Sequence, residues 1–582
     1  MTYTGLRDAT TATNLPQSSR YEPESIEDLR KKIFSSMDNY VAVDTETTGL
    51  RWTEDHAFGV AFAWDTENTF IRNSKFGEAA IGKLISELYT SDKTVVMHNA
   101  EFDLHMIRET YGVQEFPNKI IDTLRVAHIL DTAADHTLKG WGDNVYGDIA
   151  SYWEGLVSEY RKKYKVKSYD LLPTDILDPY AAHDAHLTKC LAYKFVPTVM
   201  KSSPMIFKLE HELIPAILDM EKEGLKVDLD YIVQQQQRLK QEQFAIEQKI
   251  FGVVGKHMNP ASPKMVGEYL YEQQNVPVQY TDEGNVSTDN RALSEIDHPV
   301  AQLVLDWRTA AKEENTYYSP YIKFERNGRV HPHWNMVGTK SGRMSSSSPN
   351  AQNVPKKSEA RRMFIPDGMF IDIDYSQIEL RMLAHATKEP ILVEAFKENA
   401  DLHRLTASNI FGIGLDDVSD DQRSIGKTLN FAIIYGAGSK RIADTTGVSL
   451  DEGELFRSRY WETYPGVESY NYRLKRQADD TGQVQSIFGR KITVPDSRAA
   501  LNYVIQGSAA DLMKIALVRC WKYAKENGGS IRNVIHDEIL FDNLDESHVP
   551  KLQEVMENFN LEVATPSDAQ ISHKSWRDLE DV

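Results

Sequence analysis

Apolar and polar positions change period several times along the 582 residues, and each change marks a different element. At 41–50, VAVDTETTGL, a β-branched apolar run closes on a polar turn, the pattern of a buried strand. A second apolar strand leads into a helix at 95–107, VVMHNAEFDLHMI, and 178–188, DPYAAHDAHLT, reads as helix. From 205 to about 325 the pattern is helical, with Asn259, Pro260, Ser262 and Pro263 as a loop. Residues 369–385, MFIDIDYSQIELRMLAH, predict a strand running into a helix, and 481–495 a short strand pair turning at Gly489. A helix follows over 498–514, RAALNYVIQGSAADLMK. At 530–544, SIRNVIHDEILFDNL, two apolar runs flank His536, Asp537 and Glu538, a hairpin with acids at its tip. In 419–438, SDDQRSIGKTLNFAIIYGAG, Ser419 and Gln422 form a capping box. A helix therefore starts near Asp420 and stops at Gly436 and Gly438.

Composition narrows the class. The length allows three or four compact units, and no apolar run approaches a membrane span. The polar first 25 residues show no secretory signal and are too few for a further nuclease domain. With only Cys190 and Cys520, a disulfide framework or a cysteine zinc site is excluded, and a reducing cytoplasm fits. The net charge of −20 argues against indiscriminate coating of nucleic acid. It permits a basic cleft, because Lys340, Arg343, Lys356, Lys357, Arg361 and Arg362 stand against a single Glu359 in 338–362.

Several faces carry chemistry. Arg423, Lys427, Phe431 and Tyr435 recur every four residues, so one helix face bears two cations and then two rings. That face suits a nucleoside triphosphate, or else is a solvated stripe ending in core aromatics. Asp44 and Glu46 share a strand face; with Asp103 and Asp184 they make the ligand set of a pair of hard divalent ions, beside Tyr180. Asp372 and Asp374 also share a strand face, and spacing does not choose between them. Arg498, Asn502 and Gln506 form a polar stripe.

The string Arg-x3-Lys-x3-Phe-x3-Tyr-Gly resembles the fingers helix of family A DNA polymerases. So do TKSGRMSSSSPNAQNVP at 339–355, DYSQIELR at 374–381, DLHRLTA at 401–407 and VIHDEI at 534–539. DTETTGL with its two partner segments is similar to the proofreading 3′→5′ exonuclease of the ribonuclease H-like fold, in the subclass with Tyr before the last Asp. The resemblance implies an α/β and α+β multidomain chain: a polar tail over 1–24, an exonuclease domain over 25–203, a thumb over 204–330, and palm and fingers over 331–582, the fingers at about 390–485.

It also implies roles. Asp374, Tyr375, Asp537 and Glu538 would hold one pair of Mg²⁺ ions, and Asp44, Glu46, Asp103 and Asp184 another, with Mn²⁺ as substitute. Asp372 becomes a solvated or supporting carboxylate. Arg423, Lys427, His403, Gln377, Phe431 and Tyr435 would bind the incoming deoxynucleotide, Glu379 would exclude a ribose 2′-OH, and Lys427 could also donate a proton. Arg343, Arg498, Asn502, Gln506 and His536 would contact primer-template DNA, and Asn99 and Phe102 the single-stranded 3′ end. His98, His183 and His186 are expected to be structural or exposed. The implied protein is a monomeric, membrane-free DNA polymerase with proofreading and no 5′ nuclease activity. Its partners are primer-template DNA and dNTPs, with a helicase or single-strand-binding protein as accessory. The compact layout points to a phage replicative enzyme in the host cytoplasm. Glu379 and the exonuclease motifs argue against a single-subunit RNA polymerase, and the complete carboxylate sets argue against a silent binding protein.

Overall fold

The computed structural model describes residues 14–281 and 283–582. The first half is built on a six-stranded mixed sheet, ordered Ser19–Arg20, Glu67–Arg72, Ala57–Trp64, Tyr40–Thr47, Thr94–Met97, Ile120–Asp122. Tyr40–Thr47 lies at its centre, antiparallel to Ala57–Trp64 and parallel to Thr94–Met97. A strand covered on both faces reads as a continuous apolar run, which is why Val41, Ala42 and Val43 are all buried. Val41 and Val43 enter one core layer with Leu84 and Leu104, whereas Ala42 enters the other with Tyr180 and Ala181. By alternation Asp44 and Glu46 continue the Ala42 face, which the 29-residue helix Thr174–Ser202 covers.

The polar tail expected over 1–24 lies outside the described residues as far as 13. The remainder is docked rather than free: Ser19–Arg20 pairs in parallel with Glu67–Arg72, and the Pro16 carbonyl accepts from His186 at 2.8 Å.

The second half carries a five-stranded antiparallel sheet, ordered Ser530–Ile535, Glu538–Asp542, Phe370–Tyr375, Ser567–Ser572, Glu580–Asp581. Asp374 stands opposite Glu538 on one side and Asp568 on the other. The helix Ala500–Glu526 packs on Ser530–Ile535, and Leu402–Phe411 pairs with Asp420–Ile434 in a helical lobe that runs on to Pro465–Thr481. A helical arm leaves through Leu229–Val254 and has its own core of Ile246, Ile250, Leu270, Val300 and Val304. Residues 204–223, grouped with the thumb in the sequence, pack elsewhere. Leu209, Leu213, Ala216, Ile217 and Met220 enter the core on the five-stranded sheet, while Ile206, Ile214 and Leu218 enter the two core layers of the first half and none enters the arm core.

The two halves share a charged seam. Buried Arg490 binds Asp511 at 2.7 Å and also pairs with Glu210, which accepts from Lys514 at 2.7 Å and from Arg125 at 3.1 Å. Glu221, also buried, accepts from His105 at 2.7 Å, His333 at 3.1 Å and the Trp334 amide at 2.6 Å. His128 meets the Thr339 carbonyl at 3.0 Å, joining the first sheet's helices to the loop that carries Arg343.

Candidate active sites

In the first site, Asp44 and Glu46 project from the central strand, Asp103 from Ala100–Tyr111, and Tyr180 and Asp184 from one turn of Thr174–Ser202. Asp103 is fixed by the Thr45 amide at 2.9 Å and the Thr45 hydroxyl at 2.6 Å. Burial pushes the Asp44 carboxyl up to about 6, against the pull of Lys139. Burial and then the Asp44 charge raise Glu46 and Asp103 well above the usual carboxylate range. Lys139 was missed in the sequence. It stands on Leu138–Tyr146, pairs with Asp184, and lies 4.7 Å from the centre of the Tyr180 ring. No motif surrounds it, since its role comes only from the helix that brings it across.

Asn99 adopts a left-handed backbone (φ 69°) and donates its amide to Asp122 at 2.9 Å, while Phe102 packs partly into the core. His98, His183 and His186 are structural, bonded to Thr123 at 2.8 Å, the Ala150 carbonyl at 3.2 Å and the Pro16 carbonyl. His98, Asn99 and Thr137 line a cavity of about 520 Å³ whose far wall, His333 to Val337, comes from the second half.

In the second site, Asp374 is the last residue but one of the strand Phe370–Tyr375, and Asp537 sits in the two-residue turn between Ser530–Ile535 and Glu538–Asp542. The Asp537 carbonyl accepts from the Tyr375 amide at 3.0 Å, which clamps the turn to the strand end. Burial, then the Asp374 charge, push the Asp537 carboxyl up to about 7, and burial raises Asp374. Lys356 donates to Asp374 Oδ2 at 3.0 Å, leaving the buried Oδ1 unpartnered.

Several expected ligands are placed differently. The Tyr375 phenol turns away and donates to the Met556 carbonyl, so only its backbone oxygen could serve a metal. Glu538 is buried and accepts from Arg361 at 3.2 Å. Asp372 is not solvated: it is 2 % exposed and accepts from Trp576 Nε1 at 2.8 Å. Of the basic residues in 338–362 only Arg361 is buried, 3.7 Å over the Trp576 ring, while Arg343 pairs with Glu379 and the exposed Arg362 with Glu359 and Asp578.

The helix Asp420–Ile434 has the expected capping box of Ser419 and Gln422. Gly436 stops it at φ 72°, and a Cβ there would come within 2.5 Å of the Arg498 carbonyl. Arg423 binds Asp401 at 2.5 Å, Lys427 is exposed, and Phe431 lies 6.1 Å from the His403 ring. His403 meets Asn430 at 3.1 Å, and burial brings its imidazole down to about 4. Tyr435 donates to Glu379 at 3.2 Å. Phe431, Tyr435, Glu379, Gln377, Arg343, His536 and Asp537 line one cavity of about 300 Å³, so the aromatic end of that helix and Asp537 open onto the same space, while Asp374, Arg423 and Lys427 are not among its lining residues.

Arg498 departs from the expected helical stripe. It lies in the turn Ser497–Ala499 ahead of Ala500–Glu526 and forks onto Asp496 at 2.7 and 2.9 Å, leaving Asn502 and Gln506 on the helix.

The donor chemistry of both sites fits hard divalent cations, which take carboxylate oxygens, and the unpartnered Asp374 Oδ1 is a donor awaiting a partner. Among the described residues no three His, Cys, Asp or Glu side chains are arranged to enclose a metal ion. Lys139 and Lys356 hold the oxygens of Asp184 and Asp374 instead.

Fold and sites together define a ribonuclease H-like exonuclease domain followed by a right-hand polymerase domain. The sequence profile of DNA polymerase family A matches residues 229–578 and that of 3′-5′ exonuclease matches 21–199, so the chain belongs to DNA polymerase family A. It is 30% identical to DNA polymerase I of Pseudomonas aeruginosa over 542 residues, which cover 86% of this chain and 59% of that protein. With DNA polymerase I of Treponema pallidum it shares 32% over 476 residues, 77% of this chain and 47% of that one. The chain thus spans about three fifths or less of the length of these relatives. The POL domain of Pol1 from M. smegmatis, solved in complex with DNA primer-template and dNTP, superposes with a TM-score of 0.80 at 24% identity, covering 96% of this chain and 100% of that one.

Proposed function

We propose that the chain is a template-directed DNA polymerase that edits its own product by 3′→5′ excision, acting as a monomer in the cytoplasm. The observation that carries this reading is the cavity where Phe431, Tyr435 and Glu379 face Asp537. Family membership and the primer-template and dNTP of the M. smegmatis complex support it.

Lys427 and Arg423, once released from Asp401, bind the triphosphate, with Lys427 also placed to donate a proton. His403 is neutral at physiological pH and serves by hydrogen bonding. Phe431 packs on the sugar, Tyr435 stacks at the template side, and Glu379 closes the space of a 2′-OH. Asn502, Gln506 and Arg343 line the duplex path. Asp374 and Asp537 would hold a pair of divalent cations, taken as Mg²⁺ with Mn²⁺ as substitute, which would supply Lewis-acid activation at the primer 3′-OH and charge neutralisation at the pyrophosphate. Asp44, Glu46, Asp103 and Asp184 would hold the editing pair. Burial keeps the Tyr180 phenol protonated, so Tyr180 orients the attacking water and does not act as base. A helicase and a single-strand-binding protein fit as accessory partners. The relatives above are bacterial, and nothing in the fold favours a phage source over a bacterial one.

Primer extension on a templated duplex tests the synthetic half. Asp374→Ala and Asp537→Ala should each abolish extension with folding intact by circular dichroism, and normal extension by either variant contradicts the reading.

A further inference from the structure

The editing site holds a positive charge that lies outside every motif that marks the site in the sequence. Lys139 is the second residue of Leu138–Tyr146, whose start is fixed by the Thr137 hydroxyl accepting from the Gly140 amide at 3.2 Å. That cap sets the direction of the helix and sends the lysine into the carboxylate cluster. Its side chain is 18% exposed, it pairs with Asp184, it sits 4.7 Å from the Tyr180 ring centre, and its charge acts on Asp44 and Glu46. One cation thus touches the only two editing residues supplied by Thr174–Ser202. Four carboxylates in a buried space repel one another strongly, and a lysine among them relieves that repulsion.

We propose that Lys139 is a positioning residue of the editing site: a tethered cation that pairs with Asp184, holds Tyr180 beside it, and competes with a divalent ion for that carboxylate. This rests on the editing role proposed above. Two consequences follow from the competition. Removing the lysine removes a rival for Asp184 and a like charge beside the ion, so the metal binds more tightly. The arriving ion in turn frees the amine.

Mn²⁺ binding is measured by titration calorimetry on the full chain in an Asp374→Asn/Asp537→Asn background, which confines tight binding to the editing site. Lys139→Met should tighten Mn²⁺ binding on the order of tenfold, whereas Lys139→Arg should stay near the unsubstituted affinity. A residue with a merely structural role would give weaker binding when removed, so unchanged or weaker binding in Lys139→Met overturns the proposal. Asp44→Ala serves as the control for the underlying reading. If it leaves Mn²⁺ binding intact, the carboxylate site itself is wrong; if it abolishes binding and only the Lys139→Met result fails, the error is confined to the lysine. A second measurement needs no variant at position 139: acylation of the Lys139 amine, followed by mass spectrometry, should speed up when Mn²⁺ is added. Labelling indifferent to Mn²⁺ overturns the proposal.

Discussion

The Tyr435 hydroxyl donates to Glu379 Oε2 across 3.2 Å, and the other oxygen of Glu379 accepts from Arg343. The end of the helix Asp420–Ile434 and the loop that carries Arg343 are thereby tied to the same carboxylate. Glu379 itself is 7% exposed, so its side chain is held rigidly at the wall of the cavity it shares with Phe431 and Asp537.

Glu379→Ala should therefore relax sugar selection. Truncation opens the wall where a 2′-OH would lie, and discrimination against ribonucleotides should fall by roughly one to two orders of magnitude. Single-nucleotide extension with paired rNTP and dNTP substrates checks this, and an unchanged ratio counts against the role of Glu379.

Phe431→Tyr should change selection at the other end of the sugar. By the family resemblance, Tyr at this position admits dideoxynucleotides and Phe discriminates against them. The unsubstituted protein should strongly prefer a dNTP to its dideoxy analogue, and the variant should bring the two toward parity. Because Phe431 is only partly buried, its melting temperature should barely move. Equal use of both substrates by the unsubstituted protein contradicts the assignment.

What the sequence revealed and what it concealed divide by range. The capping box at Ser419 and the acids of the Asp537 turn are set by neighbours a few residues away, and both appear where the pattern puts them. The same logic failed at Arg498, where Asp496 accepts from the Arg498 amide at 3.0 Å and holds a turn open before the helix begins. Lys139, Lys356 and Arg361 take their meaning from Asp184, Asp374 and Glu538, distant in the chain, so no local spacing signals them. The stripe of residues 204–223 showed that a face is buried but not which core receives it.

Glu221 gives a pH-dependent test of the seam between the halves. Burial alone raises its carboxyl, but the hydrogen bonds of His105 and His333 outweigh this and bring it down to about 2. A carboxyl depressed on folding adds stability that is fully present above its unfolded value near 4.5 and is lost as pH falls toward 2. Glu221→Gln should cost about 3 kcal/mol at neutral pH and flatten the stability curve between those values. Urea titrations of both proteins from pH 6 to 3 measure it, and parallel curves would contradict the account.

Arg490 offers a second seam test without titration. Its removal as Arg490→Met leaves Asp511 without its guanidinium and Glu210 with only Lys514 and Arg125, all buried. Breaking such a buried cluster should cost about 3–5 kcal/mol, and Arg490→Lys should recover only part of it, because an ammonium cannot fork between two carboxylates. Chemical denaturation decides; a loss below about 1 kcal/mol, the scale of an exposed ion pair, would mean the cluster contributes little.

The most direct measurement presents a primer with a mismatched 3′ nucleotide to the unsubstituted protein, to Asp44→Ala and to Asp537→Ala, and follows primer length in the presence of Mg²⁺ and dNTPs. The account predicts trimming followed by extension in the first, no trimming but retained synthesis on a matched primer in the second, and trimming without synthesis in the third. Trimming that survives Asp44→Ala, or synthesis that survives Asp537→Ala, would contradict it.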